Sequence, residues 1–381
     1  MTTTYLLHDD ALRSRELRHE IGEPIMDPIT FIEHDGRRIV VASDLEEPIF
    51  ERREDVVDEF WNFHDLGAEE LIRDPSFPDH LFYAELVARS LTKLGATSVC
   101  VPATFQGLVL DYLREKGITV EIDADGWSAR RRQKTPWELE GIERAQRAAE
   151  TAMLTAARML RDAERTSDGR LRFEGEILTA ELIRVAMESE LLAQGAESQD
   201  IIVHSGDACL RGHDIGMGPI LPDLTCIIDC FPRDRRTGVF ADMTRTFVPG
   251  QISDETRELH EDCLEAMKIA LAAIKPGSKS AYEEVAAFFE SKGHPTQRSH
   301  TGPGSLREGF RHSLGHGVGL DVHERPRMGR RPDEFRLGDV VAVEPGLYFA
   351  GVGGVRLEDT VLVTDAGIEH FTDPYPYKLE P

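Results

Sequence analysis

The stretch that decides the fold is His312-Ser313-Leu314-Gly315-His316-Gly317-Val318-Gly319-Leu320-Asp321-Val322-His323. It places three imidazoles in twelve residues, among glycines that let the backbone approach a ligand closely. His312 and His316 have the i, i+4 spacing of a helical zinc pair, but the glycines between and after them disfavour a helix. The stretch therefore predicts a metal or acyl-transfer site on a loop or a strand end.

Two acidic residues that precede this stretch lie on segments with strand character. Residues 225–229 are apolar and end on Asp229, which predicts a buried strand. After a charged turn, residues 239–247 alternate with a two-residue period and carry Asp242. The two segments predict a hairpin whose carboxylates can point the same way.

Two further acidic residues follow the stretch. Residues 340–344 predict a strand that ends on Glu344, which the following proline holds in an extended conformation. Residues 355–361 predict another strand, on which Arg356 and Glu358 share one face. Acidic side chains on four predicted strands could therefore meet at one site.

Such a site requires cations, because unpaired carboxylates in a low dielectric cost several kcal/mol each. Two divalent ions balance the four carboxylates of Asp229, Asp242, Glu344 and Glu358, with His316 as a neutral ligand. Oxygen-rich coordination with one nitrogen favours Mn²⁺, Co²⁺ or Zn²⁺. Two such ions lower the pKa of a shared water and promote hydrolysis. Spacing alone leaves open the alternative that these acids are unrelated surface residues.

Composition excludes some partners. The chain has 381 residues, 40% of them apolar, and a formal net charge of −25. This charge argues against nucleic acid or an anionic membrane as the main partner. The beginning of the chain has no signal-peptide pattern and no stretch has the length of a membrane helix, so we expect a cytoplasmic protein. Five dispersed cysteines without a Cys-x-x-Cys pair predict reduced, buried thiols.

The length and pattern of the chain predict two domains. Residues 1–130 alternate short strands, such as 98–101 and 119–122, with helical periods, as α/β domains do. The basic run 128–134 is interpreted as a solvated linker, since no aromatic residues interleave with its charges. At Thr135 an N-cap, a following proline and a capping-box glutamate then predict a long helix that opens a second domain, 136–381.

Five ordered motifs resemble the dinuclear metallopeptidases of the pita-bread fold, the superfamily of Xaa-Pro dipeptidases (prolidases), Xaa-Pro aminopeptidases, methionine aminopeptidases and creatinase. The resemblance spans about residues 136–370. The first 130 residues resemble the creatinase-type N-terminal domain only in position and α/β character. The motifs are Ile228-Asp229, Asp242-Met243-Thr244-Arg245-Thr246, the stretch from His312 to Glu324, Val343-Glu344-Pro345-Gly346 and Gly354-Val355-Arg356-Leu357-Glu358-Asp359.

The resemblance implies an α/β (α+β) chain with a C-terminal pita-bread catalytic domain behind a smaller creatinase-like domain. It implies metal ligation by Asp229, Asp242, His316, Glu344 and Glu358 of two divalent ions, with Mn²⁺ preferred and Co²⁺ or Zn²⁺ as alternatives. The activity implied is hydrolysis, by a metal-bridging hydroxide, of the bond that precedes proline at the second position of a peptide. Relatives with two domains imply a homodimer.

The resemblance also assigns roles to side chains around the metals. Glu344 is implied as the general base, and His213 and His323 as histidines that contact the substrate and stabilise the tetrahedral intermediate or the leaving nitrogen. His312 matches a pocket histidine, and Arg356 an arginine near the metal centre.

Two segments depart from the family pattern. The hairpin from Asp229 to Asp242 is two residues longer than the usual spacing, and the His213 loop reads Gly-His-Asp. These departures leave the ligand set intact but bear on specificity. A creatinase-like hydrolase of a small C–N compound and a non-catalytic binding protein on the same fold remain the alternatives.

Overall fold

The computed structural model describes residues 3–53 and 55–381. They divide into two compact units, Met1–Arg131 and Arg132–Pro381, here called unit 1 and unit 2. Among the described residues, no helix combines the length and apolar character needed to cross a membrane.

Unit 1 is built on a six-stranded mixed sheet of order β4-β3-β2-β1-β5-β6. Apolar clusters cover both faces of this sheet, so its central strands are buried on each side. The predicted strands 98–101 and 119–122 are confirmed. The strands are β1 Tyr5–Asp9, β2 Ile29–His34, β3 Arg37–Ala42, β4 Glu59–Asn62, β5 Ser98–Val101 and β6 Thr119–Ile122, and the helices are α1 Arg15–Ile21, α2 Glu47–Phe50, α3 Ala68–Arg73, α4 Phe82–Leu94, α5 Gly107–Glu115 and α6 Ala124–Arg132.

Unit 2 contains two halves, each with a helix pair and an antiparallel sheet. The first half has α7 Pro136–Arg161, β7 Glu164–Arg165, β8 Leu171–Phe173, β9 Glu176–Ile177, α8 Ala180–Ala193, β10 Ala196–Glu197, β11 Ile201–Ser205, β12 Cys226–Cys230, β13 Arg233–Asp234 and β14 Met243–Phe247. The second has α9 Asp254–Ala273, α10 Ala281–Ser291, β15 Gly315–Gly317, β16 Glu324–Arg327, β17 Val340–Val343, β18 Gly346–Phe349, β19 Gly353–Arg356, β20 Asp359–Thr364 and β21 Gly367–His370.

Hydrogen bonds join the sheets of the two halves. The first sheet has the order β11-β12-β14 and packs on α7 and α8, and the second has the order β16-β15-β17-β20-β21 and packs on α9 and α10. The amide of Glu358 donates to the carbonyl of Thr244 across 3.0 Å, which joins the start of β20 to β14. This contact brings the acidic residues of the two sheets close to one another.

The predicted start of α7 is confirmed. The Thr135 hydroxyl accepts from the amide of Glu138, and the Glu138 carboxylate accepts in return from the amide of Thr135 across 2.7 Å. Pro136 occupies the first helical turn, where its missing N–H costs nothing. This cap fixes the position at which α7 begins and lays its alanine-rich face on the first sheet.

The interpretation of residues 128–134 as a solvated linker is wrong. Helix α6 continues through Arg132, whose guanidinium holds the buried carboxylate of Asp339 with Nε–Oδ1 and Nη2–Oδ2 distances of 2.8 and 2.5 Å. The Lys134 ammonium group, 2% exposed, pairs with Glu324. Carboxylates elsewhere in the fold neutralise these cations, so the run can be buried despite its charge.

Candidate metal centre

Asp229 lies inside β12 and points its carboxylate at the candidate centre. The register pairs Asp229 with Thr244 on β14, so the hairpin predicted for these segments is confirmed. Cys226 and Cys230 flank it on the opposite, fully buried face. The alternation of the strand therefore separates an apolar face from a carboxylate face.

The other three acidic residues lie at strand ends, as predicted for Glu344, whereas the sequence placed Asp242 and Glu358 within strands. Asp242 immediately precedes β14, and Glu344 immediately follows β17. Glu358 occupies the gap between β19 and β20, because the single strand predicted over 355–361 is broken there. At a strand end, the carboxylate of an acidic residue can point into a site shared with other strands without interrupting the hydrogen bonds of the ladder.

Three side chains already have the spacing of metal ligands. Atoms of Asp242, His316 and Glu358 all lie within 4.8 Å of one another. The Nε2 atom of His316 is 3.7 Å from Oδ2 of Asp242, and 3.9 Å from carboxylate oxygens of both Glu344 and Glu358. An imidazole nitrogen therefore faces three carboxylates at distances that a divalent ion could bridge.

Hydrogen bonds orient these groups. His316 Nδ1 lies 3.1 Å from the carbonyl oxygen of Gly317, which makes Nδ1 the protonated nitrogen and leaves the lone pair on Nε2. The Thr244 hydroxyl donates to Oε2 of Glu358 across 2.6 Å. The amide of Asp242 donates to the Thr360 hydroxyl across 2.9 Å. Hydrogen bonds with Gly317, Thr244 and Thr360 thus orient His316, Glu358 and Asp242.

Electrostatics show that the site fits cations. The Oδ1 atoms of Asp229 and Asp242 are buried and have no hydrogen-bond partner within the described ranges, as expected for oxygens that coordinate a metal ion. Burial, and then the charges of Glu358, Asp229 and Glu344, raise the pKa of Asp242 well above its usual value. Burial likewise raises the pKa of Glu358 well above its usual value and that of Glu344 to about 7. Divalent ions would relieve this repulsion.

Arg356 is the cation closest to these acids. Its Nη2 group donates to Oδ2 of Asp229, and its Nε donates to the Thr244 hydroxyl across 3.2 Å. Burial alone would lower the pKa of Arg356, but Tyr348 and the surrounding carboxylates raise it well above its usual value. Arg356 therefore stays charged and holds Asp229 in place.

The remaining predicted histidines surround this centre. The Nδ1 atom of His312 donates to the carbonyl of Ser313 across 2.7 Å, so its Nε2 accepts from the Tyr348 hydroxyl across 3.0 Å. The same Nδ1 lies 3.6 Å from Oε2 of Glu344. The rings of His316 and His323 have centroids 4.3 Å apart, and His213 lies 6.4 Å beyond His323. His213 and His323 are exposed and are here called the rim, whereas Asp229, Asp242 and Glu358 are buried.

Sequence reasoning missed Tyr348 and Thr244. The Tyr348 hydroxyl links His312 to Arg356, whose Nη1 donates to it across 3.2 Å. Thr244 connects Arg356 to Glu358. The alternation of Asp242, Thr244 and Thr246 on one face was a signal for Thr244, whereas Tyr348 meets His312 only through the packing of β18.

The glycines around His316 are required by close strand approach. A Cβ atom on Gly315 would lie 2.0 Å from the carbonyl oxygen of Ala342, and one on Gly317 would lie 2.0 Å from that of Arg325. Both contacts are with backbone atoms of neighbouring strands, which cannot rotate away. The stretch around His316 is therefore a strand, β15, pressed between β16 and β17.

Comparison with known proteins bears on the family and the fold of this chain. The model of metallopeptidase family M24 matches residues 140–365. The Xaa-Pro dipeptidase of Pyrococcus furiosus is 30% identical over 249 residues, which cover 63% of this chain and 62% of that protein. The Xaa-Pro dipeptidase of Pyrococcus horikoshii is 39% identical over 133 residues, 35% of each chain. The aligned stretches thus span between about a third and somewhat under two thirds of these curated relatives.

A solved structure extends the likeness to the whole chain. The X-Pro aminopeptidase from Thermotoga maritima aligns with a TM-score of 0.76 at 21% identity, over 99% of this chain and 96% of that one. At this identity the alignment shows the fold, and the pita-bread fold predicted from the sequence is confirmed. Together, the fold and the converging acids and histidines define a metallopeptidase-type site. This chain belongs to metallopeptidase family M24, and its membership implies divalent metal ions.

Proposed function

We propose that this protein is a dinuclear metallopeptidase that hydrolyses the bond preceding proline, as an Xaa-Pro dipeptidase or Xaa-Pro aminopeptidase. The observation that carries the proposal is the convergence of four carboxylates and one imidazole nitrogen, two of the carboxylates with buried oxygens that have no hydrogen-bond partner among the described residues. The curated relatives named Xaa-Pro dipeptidase support the choice of substrate.

In this proposal five residues hold the metals: Asp229, Asp242, His316, Glu344 and Glu358. Their oxygen-rich chemistry suits Mn²⁺ best, with Co²⁺ or Zn²⁺ as alternatives. When bound, the two ions supply Lewis acidity that activates a water and polarises the peptide carbonyl. Burial lowers the pKa of His316 to about 3, so its imidazole is neutral and available as a ligand.

Glu344 is proposed as the general base. Its Oε1 lies 3.9 Å from Nε2 of His316, so its carboxylate is at the centre, where it could accept a proton from water and return it. It would take a proton from the attacking water and deliver it to the proline nitrogen as the C–N bond breaks. His312, whose Nδ1 lies 3.6 Å from Glu344, borders the path of that proton.

The rim and the pocket would bind the substrate. His213 and His323, whose ring centroids are 6.4 Å apart, would donate hydrogen bonds to the carbonyl oxygen, the tetrahedral intermediate or the leaving nitrogen. His312 would line the pocket, with Tyr348 fixing its ring. Arg356 would act by holding Asp229 against the repulsion of the neighbouring acids.

The hairpin between Asp229 and Asp242 is held by contacts of its own. Its tip is anchored to α7 by Arg144, whose Nε and Nη2 groups donate to the two oxygens of Asp234 across 3.1 and 3.0 Å. The Thr237 hydroxyl donates to the same carboxylate across 2.5 Å. We propose that the additional residues form this anchored tip and leave the ligand positions of Asp229 and Asp242 unchanged.

Peptide hydrolysis before and after metal removal tests the proposal. Purified protein is assayed with Ala-Pro, Ala-Pro-Ala and the control Ala-Ala, each after chelation and after addition of Mn²⁺, Co²⁺ or Zn²⁺. We expect hydrolysis of proline substrates only with metal, and the length preference separates a dipeptidase from an aminopeptidase. Full activity without metal would refute the mechanism. Turnover of creatine alone would favour the creatinase-like alternative, and peptide binding without turnover a binding protein.

Location and assembly are part of the same proposal. A cytoplasmic homodimer is expected, as the resemblance to two-domain relatives implies. Light scattering of the purified protein would measure its mass, and a monomer across micromolar concentrations would contradict the dimer.

A further inference from the structure

Arg245 is a fully buried arginine behind the candidate metal centre. Its side chain is 1% exposed and pairs with Asp359. The Nη1 group donates to the carbonyl oxygens of Thr244 and Glu358 across 2.9 and 2.7 Å. The Nη2 group donates to Oδ1 of Asp359 across 2.8 Å and to the carbonyl of Tyr375 across 2.7 Å. One guanidinium thus joins two backbone segments of the centre to a distant part of the chain.

The distant part is the segment 375–379. The ring of Tyr377 covers the Arg245 guanidinium with its centroid 4.4 Å away, and the ring of Tyr375 lies at 5.7 Å. The Tyr377 hydroxyl donates to Oδ2 of Asp359. The carbonyl of Leu379, a buried residue, accepts from the amide of Val248 across 2.8 Å. The segment is therefore attached at several points to β14 and to the start of β20.

These contacts bear directly on Glu358. Its carbonyl is held by Arg245, its amide by Thr244, and its Oε2 by the Thr244 hydroxyl. Its neighbour Asp359 is shared between Arg245 and Tyr377 and pairs in the ladder with Val343, the residue before Glu344. The position of two acidic residues of the centre therefore depends on groups outside the proposed ligand set.

We propose that the segment 375–379 is a positioning element for the metal centre, which acts through Arg245 and Asp359 to fix Glu358. The inference rests on the proposed dinuclear centre and adds residues outside its ligand set. Tyr377 and Arg245 are positioning residues in this scheme.

The chemistry of the cluster favours positioning over plain stabilisation. A buried ion pair usually contributes little stability relative to apolar residues of the same volume, because desolvation offsets the attraction. A guanidinium, in contrast, presents donors in a rigid planar fork that fixes the acceptors around it. Groups that orient ligands from outside the coordination sphere change metal affinity by about 10- to 100-fold when removed.

Tyr377→Phe is the most conservative test. It removes one hydroxyl and keeps the ring over Arg245. The matched control is Arg257→Gln, which removes an exposed ion pair, 4.0 Å long, between Arg257 and Glu380 beside the same segment. Metal-free samples of both variants and of the wild type are titrated with Mn²⁺ by calorimetry. Thermal unfolding of the same samples reports stability separately.

We expect Tyr377→Phe to weaken binding of one Mn²⁺ by about tenfold, and Arg257→Gln to leave both affinities within about twofold. Arg245→Lys keeps the charge but loses the planar fork of donors, so it should weaken Mn²⁺ binding more than Tyr377→Phe does. If Arg245→Lys does not fold, the result for Tyr377→Phe decides the question. Wild-type Mn²⁺ affinity in Tyr377→Phe would overturn the inference, whether or not its unfolding temperature falls. Absence of Mn²⁺, Co²⁺ and Zn²⁺ binding by the wild type would instead refute the dinuclear centre.

Discussion

Substitution of Gly315 by alanine tests whether the close approach of β15 to β17 sets the metal centre. The added Cβ atom would lie 2.0 Å from the carbonyl oxygen of Ala342 and 3.2 Å from Sδ of Met328. The Met328 side chain can adjust, but the carbonyl belongs to the strand backbone. The two strands must therefore separate by about 1 Å or more to reach an ordinary contact distance.

That separation acts on two proposed ligands at once. His316 follows Gly315, and Glu344 follows Val343, the ladder partner of Gly315. Parting the strands lengthens the 3.9 Å distance between His316 Nε2 and Glu344 Oε1. A misplacement of about 1 Å reduces activity by about 100-fold, and overpacking costs about 1–3 kcal/mol of stability.

Three measurements check these magnitudes: Mn²⁺ titration of the metal-free protein, denaturant unfolding, and kcat/KM for Ala-Pro. Gly107→Ala is the matched control, since Gly107 begins α5 and an added Cβ there meets nothing within 4 Å. The control should match the wild type in all three measurements. The reasoning fails if Gly315→Ala is as stable as the control and binds Mn²⁺ equally well, because the clash would then be absorbed without moving the ligands.

Two further predictions concern Glu344. Glu344→Gln should lower kcat by about 100-fold or more, because the amide cannot accept the proton of the attacking water. Circular dichroism checks that the variant is folded. Wild-type turnover by the folded variant would remove Glu344 from the mechanism. The second concerns pH. Because burial raises the pKa of Glu344 from 4.5 to about 7, the folded metal-free protein keeps a proton that the unfolded chain loses near 4.5. The stability that this bound proton gives the folded protein is therefore present at low pH and is lost as the pH rises through about 7. Mn²⁺ competes with this proton, so the increase in unfolding temperature that Mn²⁺ produces should grow between pH 5 and pH 8; a constant increase over about that range would contradict it.

Local signals in the sequence predicted the elements that carry the site better than they predicted its details. The cap at Thr135 and the apolar run that ends at Asp229 depend on neighbouring residues, and both elements form as expected. The break of the strand at Glu358 was not predicted, because Val355 to Val361 is a continuous strand pattern. The chain leaves β19 there because the Glu358 amide pairs with Thr244, a residue 114 positions away.

The basic run 128–134 shows that local signals are equally limited in predicting the burial of charged residues. Arg132 forms an ion pair with Asp339, and Lys134 forms one with Glu324, each about 200 positions later in the chain. No local pattern marks such partners, so solvation was the natural interpretation. The order of the acidic and histidine motifs was informative for a different reason: it indicated the family, and the family fixes the topology that brings these segments together.

The charge distribution of the centre explains how this chain can fold around four acids. Arg356 pairs with Asp229, whereas Asp242 and Glu358 have pKa values raised by burial and mutual repulsion. Without metal, the chain can therefore relieve repulsion by one fixed cation and by protons held on the other acids. Divalent ions would exchange for those protons while Arg356 stays in place, so metal uptake should release protons and leave the protein folded throughout. The rigid strands behind the acids, and the buried Arg245 that fixes Glu358, are consistent with a centre whose geometry exists before the metal arrives.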